Sequence, residues 1–198
     1  AGQQIYVRAF DSAEAMAVPG TEGADSLTFS PDGKWLAFTA RGNLMRVSMA
    51  GGAPLMICSA PNTRGLSWGD NDTIVFAPIY GTEGLSKVPA GGGKPQKLTV
   101  TGRGSDSSEE AHRWPQMLPG GNAVLFTAWT RNLDDAQIVV QRLDSNERRV
   151  VLRGGTYARY VPTEKAGVAT AQSRGLRPKW STGPPGGTMA AAAPTGWT

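Results

Sequence analysis

Apolar positions in this chain fall into paired short runs split by a Gly, Asp, Asn or Pro turn, and the arrangement is written three times. LTFSPDGKWLAF (residues 27–38), LSWGDNDTIVF (66–76) and QMLPGGNAVLF (116–126) each set strand, turn and strand in sequence. A third strand and a Gly- or Asn-marked turn follow each time, in NLMRVSMAGGAP, EGLSKVPAGGGKP and AQIVVQRLDSNERR. A four-stranded antiparallel unit of this kind cannot bury both faces alone and becomes stable only when stacked against copies of itself. The pattern therefore predicts an all-β fold, a partial β-propeller of about four four-stranded blades.

Period-two alternation in IYVRAF and EAMAVPG predicts two outer strands of a half blade over residues 1–20. Blade one is expected over 21–60, with strands at 26–30, 34–40, 43–48 and 55–58. Blade two is expected over 61–100 (65–68, 73–77, 85–88 and 96–100), and blade three over 111–153 (113–117, 123–128, 136–143 and 149–152). The polar stretch 101–110 between them reads as the longest loop, where binding residues concentrate. A partial blade, 154–173, carries YARYVP and one weak strand at 167–171. Beyond it, 174–198 combines an Ala run with Gly-Pro clusters and no alternation, so it is expected to be a non-propeller tail, a shifted frame or a cloning scar. Because the end blades are incomplete, closure is expected either within one chain or by a homodimer that completes the ring.

Composition supports this reading and narrows the function. The 26 Gly and 14 Pro among 198 residues suit a turn-dense β fold. The net charge of +4 is scattered among carboxylates, so no nucleic-acid partner is expected; Arg148, Arg149 and Arg153 read as a solvated hairpin tip. No apolar run approaches the roughly 20 residues of a membrane span, and AGQQIYVR lacks the regions of a signal peptide, so any leader or anchor is expected outside this sequence. Cys58, alone in the apolar strand PLMIC, reads as a buried small hydrophobe.

The strings YVRAFDSAEAMAVPGTEGADSLTFSPDGKWLAFTARGNLMRVSMAGGAP, ICSAPNTRGLSWGDNDTIVFAP, HRWPQMLPGG and RGGTYARYVP resemble the WD40-like (TolB-type, PD40) propeller of bacterial serine/threonine protein kinases. The resemblance covers roughly residues 5–162. It implies a sensory or interaction module that follows a kinase domain and a membrane span and faces the extracytoplasmic side, periplasmic or cell-surface. The chain lacks the kinase, the span and the later blades, and nothing in it supplies a kinase Gly-rich loop or catalytic Asp loop. GGGK at 91–94 occupies the same repeat position as AGGAP at 50–54 and reads as a hairpin turn.

Registering the repeats on one another brings out the candidate chemistry. The connection leading into each innermost strand of a propeller opens on the central channel, and here those connections are TEGADS, PNTRG, EEAHRW and GGTYARY. Glu22, Asp25, Asn62, Arg64, Glu109, Glu110, His112, Arg113, Tyr157 and Arg159 are thereby expected at one mouth. Glu22, Glu110 and His112 are the candidate ligands for a divalent cation, Ca or Zn, with Glu110 and His112 the candidate catalytic pair. Asp25, Arg64, Arg113, Tyr157 and Arg159 are the candidate ligand-binding residues. The competing reading is an ion-pair and hydrogen-bond lattice around a water-filled channel. Trp35, Trp68 and Trp114 read as inter-blade packing, and Trp129 as an exposed contact. Two functions follow: a non-catalytic sensory or protein-interaction propeller recognising a protein or small ligand, or a metal-dependent hydrolase of esters, lactones or phosphotriesters.

Overall fold

The second strand of each repeat is apolar at nearly every position because both of its faces are covered, so alternation of polarity is absent there. In the computed structural model the chain is described over residues 3–9, 11, 13–78, 84–102 and 109–161, with the backbone alone at Val168–Gln172 and Thr188–Ala192. A short hairpin, β1 (Tyr6–Val7) and β2 (Met16–Ala17), precedes blade one. Blade one is β3 (Ala24–Phe29), β4 (Trp35–Ala40), β5 (Asn43–Ser48) and β6 (Leu55–Ser59). Blade two is β7 (Leu66–Trp68), β8 (Thr73–Phe76), β9 (Ser86–Pro89) and β10 (Gln96–Lys97). Blade three is β11 (Glu109–Met117), β12 (Ala123–Thr130), β13 (Gln137–Arg142) and β14 (Arg148–Arg153), with a short 3-10 turn at Leu133–Asp135. A three-stranded sheet follows: β15 (Thr156–Val161), β16 (Val168–Gln172) and β17 (Thr188–Ala192). Every pairing is antiparallel and each blade runs in chain order from its first strand to its last.

Successive residues of each second strand serve successive interfaces. On β8, Ile74 and Phe76 join Ala37, Leu44, Ile57 and Cys58 between blades one and two. Val75 and Ala77 point the other way and join Leu98, Val124, Phe126 and Ala128 between blades two and three. On β12, Leu125 and Ala123 pack with Ala158 and Tyr160 of the last sheet. Cys58 is buried as expected, and burial pushes its thiol up from the usual range.

The leading face of blade one differs. Leu36, Phe38 and Val47 are covered by Ile5, Val7 and Val18 of the β1–β2 segment. Leu27 and Phe29, which pair with Phe38 and Leu36 and so share their face, remain 48% and 47% exposed. Their repeat equivalents Leu66 and Trp68 are 6% and 7% exposed, because a complete preceding blade covers them. The β1–β2 hairpin and β15–β16–β17 form separate sheets, not one shared blade.

Several boundaries move, for stated reasons. β11 begins at Glu109, not 113, because Glu109, Ala111 and His112 pair with Thr130, Trp129 and Ala128, a register that the polar string EEAH does not advertise. The rest of the expected loop at 101–110 lies largely outside the described residues, which resume at Glu109. Within 174–198, expected to stand apart from the blades, the backbone of β17 adds a third strand beside β16. The GGGK segment is a turn between β9 and β10, with Gly92 and Gly93 at φ of 107° and 140°. Arg148 is not part of a solvated tip: its guanidinium pairs with Glu109, at side-chain exposures of 18% and 10%. Arg149 remains exposed and meets Glu147 at 3.5 Å.

Candidate functional site

Inner strands of three sheets carry an irregularity at the same repeat position. Pairing slips between Ala24 and Leu27 on β3, between Arg113 and Gln116 on β11, and between Thr156 and Ala158 on β15. The residues at these points are Ser26, Trp114 and Tyr157, and the blade-two equivalent is Gly65. Trp114 and Tyr157 have φ of 51° and 60°, a left-handed conformation that bulky side chains rarely adopt. Gly65 has φ of 101°, and a Cβ there would stand 2.9 Å from the Cα of Trp114. Glycine is required because blade three's backbone crosses directly over it, with the Trp114 N–H donating to the Arg64 carbonyl at 2.9 Å.

These bulges aim side chains into one pocket of about 270 Å³ where the four inner strands meet. Asp25, Arg64, Trp114, Tyr157 and Arg159 are among its walls, so four of the five expected ligand-binding residues converge. The rings of Trp114 and Tyr157 meet edge to face at 5.7 Å, and Trp114 meets Trp129 likewise at 5.8 Å. Arg159 lies 4.7 Å over the Tyr157 ring and donates from Nη2 to its hydroxyl at 3.0 Å. Arg113, the fifth, stands behind the pocket wall with its guanidinium 3.9 Å over the Trp129 ring. Its Nε is buried and has no hydrogen-bond partner among the described residues. Burial, then the like charge of Arg64, lowers the Arg113 pKa from its ordinary value, against the pull of Glu110.

One tryptophan expectation is extended and another corrected. Trp114 meets Tyr157 of the last sheet and so packs between sheets as expected, but it also lines the pocket, because Trp114 and Pro115 have no ladder partner and interrupt the alternation that would have buried the indole. Trp129 is half-buried between Arg113 and Trp114 and not an exposed contact. Trp68 is buried and Trp35 packs against the same cluster, as expected.

The candidate metal ligands are not brought together. Glu22 is exposed at the start of blade one, where its carboxylate accepts from Gln4 Nε2 and the Gly20 N–H. Glu110 occupies the bulge at the start of β11 and pairs with the exposed Arg131 at 3.2 Å. His112 is 1% exposed between blades two and three, its ring 4.5 Å from that of Phe126. Among the described residues no three His, Cys, Asp or Glu side chains stand close enough to hold a metal ion. Asn62, also expected at the mouth, is an exposed turn residue at φ of 49°.

His112 instead belongs to a buried chain. Thr99 Oγ1 lies 2.6 Å from His112 Nδ1, and the same oxygen accepts from the Leu85 N–H at 2.7 Å. The hydroxyl proton is then directed at Nδ1, which leaves Nε2–H to donate to Glu109 at 3.3 Å; this assigns the neutral Nε2-protonated tautomer. Burial lowers the His112 pKa, although the Glu109 hydrogen bond and charge oppose it. Burial pushes the Glu109 carboxyl up, but hydrogen bonds from His112 and Arg148 and their charges outweigh this and hold it below the usual carboxylate range. Hydroxyl, imidazole and carboxylate are aligned as in a nucleophilic relay, with the imidazole itself buried and a cavity of about 370 Å³ opening beside Thr99 and Arg148, lined also by Lys97, Gln141 and Asn146. A Cβ at Gly84 would lie 2.3 Å from Thr99 Oγ1 and 2.6 Å from His112 Nδ1, so that backbone covers the Thr99–His112 contact on its side. Sequence reasoning missed Thr99 and Arg148, because neither stands at a repeat position shared with the channel connections.

No known family model matches the chain, and no curated protein matches it. Solved structures do resemble it. TolB from Acinetobacter baumannii superposes with a TM-score of 0.63 at 15% identity, over 86% of this chain and 46% of that one. A TolB homologue of Agrobacterium tumefaciens gives 0.64 at 15% identity, over 83% and 61%. An oligogalacturonate lyase in complex with manganese gives 0.61 at 18% identity, over 82% and 50%. The chain thus spans 46% to 61% of the length of these neighbours. Their names differ while their folds agree, as expected of a scaffold that hosts many activities. Four inner strands meeting at one pocket, three four-stranded blades and this set of neighbours establish a TolB-like β-propeller fold.

Proposed function

We propose that the chain is a non-catalytic sensory or protein-interaction propeller module, of the kind carried by bacterial membrane-linked kinases, and that it recognises its ligand at the inner-strand pocket. The observation that supports this reading is the convergence of Asp25, Arg64, Trp114, Tyr157 and Arg159 from four sheets on one opening, while the lone imidazole is committed to a buried contact between blades. Left-handed backbone at Trp114 and Tyr157 costs of order 1–3 kcal/mol each, and such outliers cluster at binding sites. The resemblance of residues 5–162 to the kinase-linked propellers supports an extracytoplasmic position. Among the described residues no helix is long and apolar enough to cross a membrane.

The same module is proposed to act as a homodimer. Leu27 and Phe29 lie open where the inner strands of a preceding blade would pack, and β1–β2 already occupies the outer part of that face. The β15–β16 strands of a second copy would supply the missing inner half.

The test combines a photo-crosslinking residue at Tyr157 with hydrolysis assays. Crosslinks to a partner from Tyr157, absent when the group is moved to Val150 on the outer strand, are the expected result. Turnover of p-nitrophenyl esters, lactones or phosphotriesters that disappears on chelation and in Glu110→Gln and His112→Ala would replace this reading with the metal-dependent hydrolase.

A further inference from the structure

We infer that the inner-strand pocket is a carboxylate-binding site, in which Arg64 and Arg159 receive the anionic group and the Trp114 and Tyr157 rings hold the carbon skeleton beside it. The inference rests on the recognition reading above and adds the ligand's chemical class. Two guanidinium groups line the pocket against one carboxylate, Asp25. A third, Arg113, stands behind the wall close enough to Arg64 for their charges to repel.

The neighbouring acids are engaged elsewhere. Glu109 is held by Arg148 and His112, Glu110 by Arg131, and Glu22 by Gln4 and the Gly20 N–H. Among the described residues no carboxylate lies within ion-pair distance of Arg64 or Arg113, and the Arg113 Nε is buried without a partner. Arg64 and Arg113 hold like charges near one another in a partly desolvated site where Asp25 is the one carboxylate among the pocket's described walls, which raises the free energy of the unliganded protein, and an anion relieves it. Guanidinium is suited to this task because its planar fork matches the two oxygens of a carboxylate.

The geometry also explains the strained backbone. Left-handed Trp114 and Tyr157 turn their rings toward the opening beside Arg64 and Arg159, where alternation would have placed them between blades. Arg113 lies over Trp129 and Arg159 over Tyr157, contacts that restrict the rotamers of these two side chains before binding.

The carboxylate could belong to a free acid or to an acidic peptide, and the experiment separates them. Intrinsic tryptophan fluorescence and calorimetry follow titration of the full chain with succinate, with its neutral analogue succinamide, and with a capped peptide of alternating aspartate and glutamate. Binding of succinate or the peptide, no binding of succinamide, and a loss of about tenfold or more in Arg64→Gln and Arg159→Gln are expected. Saturation by succinate assigns a free acid; saturation by the peptide alone assigns an acidic segment of a partner. Equal binding of succinamide, or carboxylate binding untouched by both arginine variants, overturns the anion assignment while leaving a recognition pocket in place. Absence of binding by either carboxylate probe also overturns it, whereas crosslinking from Tyr157 continues to report separately on the recognition reading.

Discussion

Phe126 closes the space between blades two and three, 1% exposed and packed on both Val75 and His112. Phe126→Ala should therefore cost about 3–5 kcal/mol, read from urea unfolding, and an unchanged midpoint would show that the ring faces solvent. His112 carries a second prediction. Its folded pKa lies below its ordinary value of 6.5, so the unfolded chain binds the extra proton first. Stability is then complete above about pH 7 and declines as pH falls through that window toward the lowered folded value. Glu109, held below its ordinary 4.5, keeps its contribution above that value and loses it only as pH falls through its lower folded pKa. Melting temperatures measured across this range should fall on acidification in the wild type and flatten in His112→Gln. A slope that survives the substitution would assign it to another group.

At the level of elements, strands were legible wherever both faces are buried, because runs such as WLAFTA and AVLFTA have few other uses. The bulges were not legible: a tryptophan at a left-handed position gives no local signal, since its conformation is imposed by the next blade's backbone. Side-chain ties between consecutive inner strands were equally hidden. Ser67 Oγ accepts from the Met117 N–H at 2.9 Å, and the equivalent Gln116 accepts from the Tyr160 N–H at 2.8 Å while donating to the Tyr160 carbonyl at 3.3 Å. Gln116→Ala leaves both Tyr160 backbone groups without this partner and should cost about 1–3 kcal/mol in chemical denaturation, with the last sheet losing hydrogen-exchange protection first. Uniform loss of protection across all blades would instead show that the array unfolds as one unit.

For the whole molecule, the exposed pair Leu27 and Phe29 is where the proposed dimer is tested. Light scattering is expected to give twice the 20.8 kDa chain mass, and the double change Leu27→Ser with Phe29→Ser to give the single mass with an undiminished melting temperature of the monomer. A monodisperse wild-type monomer would sink the dimer. A variant that loses stability without changing mass would point to closure within one chain.

Repetition, turn chemistry and two-faced apolar strands determined the blade architecture from sequence alone, because each blade's burial requirement is written locally in its own residues. The same register placed Asp25, Arg64, Tyr157 and Arg159 on one opening, since equivalent positions of a cyclic array converge. Tertiary structure decided the rest. It drew His112 into a buried contact with Thr99 and Glu109, sent Glu110 out to Arg131, and turned Trp114 into the pocket. Each of those outcomes depends on which residue of a neighbouring blade lies across the interface, and that partner is set by stacking geometry over tens of residues of separation and not by any local pattern.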